Sequence, residues 1–542
     1  MKKTTKLIAT VLASSTLGAS LAACDGSKIK DDPNILQTYA CDLGYGTDWL
    51  NAILDAFAEK DWVKEKYPNL TIAEPRTNSV QTFATTTIEA GKKSNPYDVL
   101  FGVVYANVDS LAGSGKTLEL TDVLFNQKVP GEDVYYKDKM NESSRLACKR
   151  VNLSNPNEER YWITHWAGGM DSIIYNETIL QQFDLSVPKT TDQFLEICQT
   201  IKDNERKENN KYNKGYSIVQ SDTDARYWSS LFPVWWAQYD GIQTYLNFWN
   251  GISAGRYSNA IFNETGRLES WKFMEEVLDS TKGYRDPSSG NYTFMQAQTA
   301  FLQGNSVFHA NGDWFANEMN TTIKNLTEGN EIGGVFKTMR LPIISALGVK
   351  LGITDRELSA VVDYVDGELS EVPTINSTKN YTVEYIVERV KEARSVNHSI
   401  GPAHQAMIPS YAEAKDVAVD FLRFMATDEA LLIYMQQTNG AALPFDYDVR
   451  RNSPETYASF SPIAQTVIDF KYNPIFTVYT LPTDESFPLK QYGGVKASVY
   501  GDPYMNFVSS VGKYSAQKIF DDTKAYWTTA RFNEALAKAG LD

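Results

Sequence analysis

Phe301-Leu-Gln-Gly-Asn-Ser-Val-Phe-His-Ala-Asn-Gly-Asp-Trp314 reads as a short buried strand, Ser306 to Ala310, that carries a polar and aromatic cluster at its C-terminal end. Val307 and Phe308 are the apolar, β-prone residues such a strand needs, and Asn311-Gly312 supplies the turn behind them. The cluster is Asn311, Gly312, Asp313 and Trp314. Ligands of open α/β sheets bind at strand ends. A carboxylate beside an indole suits a sugar, because one accepts hydroxyl hydrogen bonds and the other covers an apolar ring face. A core tryptophan after an ordinary turn explains the same residues. Both readings stand on this stretch alone, and the rest of the chain has to separate them.

Upstream, the first hundred residues alternate strand and helix. Ile35 to Ala40 has strand character, and Asp48 to Trp62 is helical, with Trp49, Ile53, Leu54 and Phe57 on one face. A strand near Leu70 to Ala73, a polar helix over Val80 to Ala90 and a continuous apolar strand over Asp98 to Val104 complete a βαβαβ order. That order implies a parallel, doubly wound sheet whose strand ends open toward Tyr45 to Trp49 and Tyr105 to Asn107. Trp162 to Tyr175 alternates toward a strand around Gly168-Gly169. Thr190 and Gln193 stand at capping-box spacing before the stripe Phe194, Ile197 and Ile201. Tyr227, Trp228, Phe232, Trp235, Trp236, Tyr239, Tyr245, Phe248 and Trp249 crowd one segment. A helical core accounts for about half of them, and the excess points to a cleft. Downstream, Glu331 to Ile344 contains a strand closed by Leu341-Pro342, which reads as a crossing between lobes. Leu347 to Ser399 is charged and helical in pattern. Lys415 to Gln437 reads as one long amphipathic helix stopped by Asn439-Gly440.

With 542 residues the chain exceeds one compact core and suggests two or more large lobes. A hydrophobic share of 42% rules against disorder, and 31 Tyr with 11 Trp leave rings for a binding surface after the core is filled. The formal charge of −15 excludes a nucleic-acid partner, whose phosphates demand a basic face. Lys2, Lys3 and Lys6 followed by the apolar run Leu7 to Ala19 fit an export signal, too short and too polar to span a bilayer. The run ends in Leu21-Ala22-Ala23-Cys24, which resembles a bacterial lipobox in which Cys24 receives the lipid. A non-lipidated signal peptide is the alternative. Loss of residues 1–23 removes three Lys and no acid, leaving a still more acidic chain tethered through Asp25 to Pro33.

Cys41, Cys148 and Cys198 lack CxxC spacing, so neither a disulfide framework nor a zinc site is indicated. A Cys41–Cys148 bridge and buried free thiols both remain open. The four histidines do not pair at metal-ligand spacing, and no metal or cofactor is expected. Gly113-Ser114-Gly115-Lys116-Thr117 imitates the end of a P-loop, but Ser110 occupies the place of its first glycine.

Several blocks in order resemble the extracellular solute-binding proteins of bacterial ABC importers, in the carbohydrate-binding group related to the maltose-binding protein. They are the lipobox; Tyr97-Asp-Val-Leu-Phe101 with Leu118-Glu-Leu-Thr-Asp122; Gly169 to Asn176 with Val187-Pro-Lys-Thr-Thr-Asp-Gln-Phe194; Phe301-Leu-Gln-Gly304 with Asn311-Gly-Asp-Trp314; and Lys415 to Thr427 with Gly440 and Pro444. The resemblance spans most of residues 24 to 445. The acid-plus-Arg pair of the maltose-binding protein has no match around Tyr105 to Asn107, so its sugar preference is not carried over.

The resemblance implies an α/β, two-lobed periplasmic-binding-protein-like fold. Each lobe is a doubly wound sheet with flanking helices, and the ligand cleft lies between them. The expected organisation is a signal peptide over 1–23, a tether over 24–34, lobe 1 over 35–165 and lobe 2 over 166–341. Lobe 1 then resumes over 342–440, with an insertion at about 347–399, and lobe 2 over 441–542. The implied function is capture of a carbohydrate, an oligosaccharide, by lobe closure and its delivery to ABC permease subunits, by a monomer without enzymatic activity anchored by lipid on the extracytoplasmic face of the membrane. A glycoside hydrolase and a binding protein serving a membrane sensor are the alternatives. By family position, Trp314 is the stacking residue and Asp313 the acceptor beside Asn311. Tyr227 and Trp228 form a second aromatic cluster, Tyr45, Asp48, Tyr105 and Asn107 are strand-end candidates, and Trp166 stands at the first crossing.

Overall fold

A computed structural model describes residues 32–103, 108–152, 155–205, 217–221, 226–399, 404–472, 478–481 and 515–538. Cys24, Tyr105 and Asn107 lie outside the described residues, as do the signal peptide and most of the tether.

The first sheet has five strands in the order Arg76–Asn78, Thr38–Cys41, Val99–Val103, His404–Met407, Thr164–His165. Thr38–Cys41 pairs in parallel with both Arg76–Asn78 and Val99–Val103. The βαβαβ order therefore folds as a doubly wound unit with Thr38–Cys41 in the middle, but its second strand is Arg76–Asn78 rather than the stretch near Leu70 to Ala73, where Thr71–Ile72 pairs with Ile35–Leu36 in a separate two-stranded sheet. His404–Met407 then runs antiparallel between Val99–Val103 and Thr164–His165, a strand that arrives from late in the chain. Thr38–Cys41, Val99–Val103 and His404–Met407 are buried at every position. Strands covered on both faces carry continuous apolar runs rather than alternation, which is why Asp98 to Val104 was legible as a strand. The helix Asp48–Ala58 packs Trp49, Leu50, Ile53, Leu54 and Phe57 inward.

The second sheet is mixed, in the order Ser217–Gln220, Ser306–Gly312, Asp171–Asn176, Phe336–Met339. Ser306–Gly312 is two residues longer than the sequence suggests and buried throughout. It runs parallel to Ser217–Gln220 and antiparallel to Asp171–Asn176, with Gly312 opposite Asp171. The aromatic run forms the helices Arg226–Asp240 and Ile242–Trp249. Trp228, Trp235, Trp236, Tyr245, Phe248 and Trp249 are all buried in the second core.

The chain passes between the sheets at three places. Residues 166–170 join Thr164–His165 to Asp171–Asn176, the chain goes from Val396–Asn397 and Ser399 beside the second lobe to His404–Met407 in the first sheet, and residues 440–443 lie against the first of these segments. The first and third are tied by the Gly168 amide donating to the Ala442 carbonyl at 2.8 Å. Ser399 Oγ donates to the Gly168 carbonyl at 2.6 Å, which ties in the second.

The expected boundaries need correction here. Leu341-Pro342 is not a crossing. Leu341, Ile343, Leu347, Leu358, Val361, Val362, Ile386, Val390 and Ala393 pack into the same core as Phe194, Trp235 and Phe308. Trp235 Nε1 donates to the Pro342 carbonyl at 3.1 Å and the Arg394 guanidinium to the Leu341 carbonyl at 2.8 Å, so the segment after the strand stays docked on the second lobe. Residues 342–399 thus belong to lobe 2. Nor is Lys415 to Gln437 one helix: it is two, Lys415–Phe424 and Asp428–Gln437, separated at Thr427. The C-terminal part is divided. Phe445, Tyr447 and Val449 pack in the first core, whereas Ile519, Phe520, Trp527 and Phe532 pack in the second. Cys41, Cys148 and Cys198 are buried free thiols, which settles that alternative against a bridge.

Candidate functional site

The strand Ser306–Gly312 delivers Asp313 and Trp314 to the line where the two lobes meet. Gly312 is required there: a Cβ on it would lie 1.9 Å from the Trp314 ring, so only a glycine lets the indole fold back over the strand end. Trp314 is 3% exposed. Its ring lies edge-on to Tyr45 of the first lobe at 6.2 Å between centroids, and 5.8 Å from Tyr227 of the second. It also closes on Gly44, whose φ of +29 and distance of 3.1 Å from a built Cβ to the indole both favour the residue without a side chain.

Around Tyr45 the first lobe presents a block of rings. Tyr45 is T-shaped to Trp166 at 5.8 Å and to His404 at 5.1 Å. Trp166 stacks on Trp49 at 5.0 Å, and its Nε1 donates to the Gly102 carbonyl at 3.1 Å. Edge-to-face packing of this kind fixes ring orientation as well as burying area. Tyr45, Trp166 and Trp314 thus form a continuous aromatic wall across the seam, with Tyr227 at its partly exposed margin.

Asp313 is the polar centre. The Tyr45 hydroxyl donates to its Oδ1 at 3.0 Å and the Met170 amide to the same oxygen at 2.9 Å, while the Ala442 amide donates to Oδ2. The Asp313 amide donates in turn to the Met170 carbonyl at 3.0 Å. One carboxylate therefore joins the first lobe, the first crossing segment, the third crossing segment and the second-lobe strand. Burial pushes its pKa up to about 6, although the three hydrogen bonds oppose that shift. Next to it, Asp171 accepts from or pairs with His398 Nδ1 at 2.6 Å, and burial raises the Asp171 carboxyl too.

The other expected site residues fall into place less uniformly. Asn311 is 1% exposed and turned inward: its Oδ1 accepts from the Gly312 amide, and its Nδ2 meets His309 Nε2 at 3.1 Å. Trp228 goes to the second core rather than the seam, its Nε1 donating to the Gln220 carbonyl at 3.0 Å. Asp48 is exposed at the first turn of its helix, away from the Asp313 junction's hydrogen bonds. Sequence reasoning missed Asn317, whose Nδ2 donates to the Gly44 carbonyl at 3.0 Å across the seam, and His404, whose ring abuts both Tyr45 and Trp166. Nothing local marks either: one is an ordinary helix residue, and the other reaches the block only because its strand inserts from 300 residues away.

A cavity of about 970 Å³ lies on the same crossing segments. Gly168, Gly169, Met170, Asn397, Ala442 and Leu443 line it, with Asn141 and Glu142 on one side and Tyr479 and Leu481 on another. It shares Met170 and Ala442 with the Asp313 junction but none of the aromatic wall. Among the described residues, no group of three or more His, Cys, Asp or Glu could hold a metal ion, and no helix is long and apolar enough to cross a membrane.

Two sheet-centred lobes, three crossing segments between them and a polar, ring-lined seam define a binding protein of the two-lobed α/β class. The chain belongs to the bacterial extracellular solute-binding protein family, whose model matches residues 44–431. That family comprises binding proteins and not enzymes. No curated protein matches the sequence significantly. Among solved structures, the fold is similar to the cyclic α-maltosyl-1,6-maltose binding protein from Arthrobacter globiformis, at 15% identity and a TM-score of 0.56 over 93% of this chain and 99% of that one. It is similar also to the solute-binding protein RafE in complex with raffinose, at 14% and 0.53 over 92% and 99%. A third is the ABC substrate-binding protein Lmo0181 from Listeria monocytogenes in complex with cycloalternan, at 10% and 0.54 over 94% and 99%. At such identities the likeness carries the fold.

Proposed function

We propose that the protein captures a carbohydrate, an oligosaccharide, in the seam between its lobes and hands it to an ABC permease while tethered to the outer face of the membrane by lipid on Cys24. The observation that carries this reading is the aromatic wall of Tyr45, Trp166 and Trp314, with Tyr227 at its margin, where the two lobes meet. Rings at a seam suit pyranose faces, and a ligand gripped from both sides favours closure by its differential affinity for the closed state. The similar structures named above, one in complex with raffinose, one in complex with cycloalternan and one a cyclic α-maltosyl-1,6-maltose binding protein, point to the same ligand class. Trp314 is the stacking platform in this reading and Tyr227 its neighbour. Tyr105 and Asn107 follow the buried strand Val99–Val103 in sequence and are the matching candidates of the first lobe.

Calorimetry of the full chain against raffinose, cycloalternan and chito-, xylo- and malto-oligosaccharides tests the binding. Stoichiometric binding of at least one of them, with no product on chromatography, is expected. Trp314→Ala should weaken it about tenfold or more, the scale of one lost stacking contact with its buried area. Unaltered affinity in that variant overturns the site, and failure of every glycan overturns the ligand class. Lipidation is read separately: Cys24→Ser should release the protein into the soluble fraction of the bacterial culture.

A further inference from the structure

We propose that the Tyr45–Asp313 hydrogen bond is a clasp that sets how readily the lobes close, so that the Tyr45 hydroxyl and the Asp313 carboxylate govern affinity by holding the closed arrangement rather than by hydrogen-bonding the ligand. The inference rests on the seam being the ligand site, as argued above. Three of the four acceptor positions of Asp313 are taken in this arrangement: Oδ1 takes the Tyr45 hydroxyl and the Met170 amide, and Oδ2 takes the Ala442 amide. Two of those donors belong to crossing segments, which remain joined to both lobes in any arrangement. The third belongs to a loop of the first lobe, and it is the one that opening must break.

The same loop is held at a second point, where the Gly44 carbonyl accepts from Asn317 Nδ2 at 3.0 Å. Both bonds run from residues 44–45 to residues 313–317, on either side of the Trp314 ring. With Asp313 and Tyr45 each only 2% exposed, the clasp is shielded from water, where a hydrogen bond to a carboxylate counts for more than at a surface. Buried in this way, the carboxylate is out of reach of sugar hydroxyls while the clasp is closed. The acid of the Asn311-Gly-Asp-Trp314 block therefore acts through the position of the lobes.

The test is Tyr45→Phe, which keeps the ring against Trp166, Trp314 and His404 and removes only the hydroxyl. Spin labels on Glu59→Cys and Val349→Cys, exposed positions of the first and second lobe, report the interlobe distance by dipolar spectroscopy in the absence and presence of the best-binding glycan of the panel. In the absence of glycan, Tyr45→Phe should shift the distribution toward longer distances. Its affinity should fall about tenfold, the ordinary share of a hydrogen bond to a charged group, while the glycan-bound distance stays as in the parent. Asn317→Ala should act in the same direction. An unchanged glycan-free distribution in both variants overturns the clasp. So does a loss of affinity in Tyr45→Phe with the distribution unmoved, because that outcome makes the Tyr45 hydroxyl a ligand contact. The glycan-free measurement needs no ligand, so it judges the clasp even if the carbohydrate reading fails.

Discussion

His309 sits on the strand that carries the site, 2% exposed, with Nδ1 at 3.3 Å from the Gln220 carbonyl and Nε2 at 3.1 Å from Asn311 Nδ2. A neutral imidazole with its proton on Nδ1 satisfies both contacts, and burial depresses the ring to about 4. The unfolded chain has an ordinary histidine near pH 6.5, so between pH 6.5 and 4 it binds more protons than the folded state. Stability contributed here is complete above pH 7 and is lost as pH falls through that window, by about 3 kcal/mol in full. Asp313 slopes the other way, since its raised carboxyl takes up a proton in the folded state first, between the usual range and about 6. Denaturant unfolding of His309→Gln and of the parent at pH 7 and pH 5 separates the two: the difference between variant and parent should shrink at pH 5. A constant difference contradicts a buried neutral histidine. Gly312→Ala should cost about 2 kcal/mol and weaken glycan binding, because the new Cβ and the Trp314 ring contend for one space. The sequence reading names Trp314 the stacking residue and Trp228 a member of a second aromatic cluster facing the ligand. What separates them is a strand register and a helix face, which depend on partners far along the chain.

Thr427 shows how one residue ends one helix and begins another. Its side chain accepts from the Ala430 amide at 3.2 Å and caps Asp428–Gln437, with Asp428 and Glu429 in the first turn, where the helix dipole favours acids. The apolar stripe continues across the break through Phe421, Leu422, Leu431 and Tyr434, so the periodicity read as a single helix and only the cap betrays two. Thr427→Ala should lower stability by about 1 kcal/mol, seen as a drop in thermal midpoint with glycan affinity unchanged. Thr38–Cys41 and Val99–Val103 were legible for the opposite reason: each is buried at every position and flanked by turn residues, a purely local signature, whereas the exposed edge strand Arg76–Asn78 was not. The antiparallel insertion of His404–Met407 into the same sheet was not, because no local pattern says that a strand will be claimed by a sheet begun at Thr38.

At the scale of the whole molecule, the segment between Leu341 and Asn397 decides what the second lobe is. As an addition to the first lobe it would be a dispensable elaboration of a charged, helical character. Its apolar residues tell otherwise. Leu347, Leu358, Val361, Val362, Ile386, Val390 and Ala393 are 0% exposed and share a core with the sheet strand Ser306–Gly312 through Trp235 and Phe308. Arg394 binds Asp366 through two nitrogens, the shortest contact being 2.7 Å, and also reaches the Leu341 carbonyl, so the helices Asp355–Val365 and Val383–Ser395, two of the segment's three, are locked to its own start. The sequence showed charge and helical period but not which core the stripe faced. Elements that share one close-packed core open together, with a free energy set by that core, whereas appended units open alone. Native-state hydrogen exchange should therefore give the amides of Asp355–Val365 and Val383–Ser395 the same opening free energy as those of Ser306–Gly312, and the same response to denaturant. Exchange of the two helices as a separate, less stable unit would return residues 347–399 to the status of an appendage and leave the second core without half of its cover.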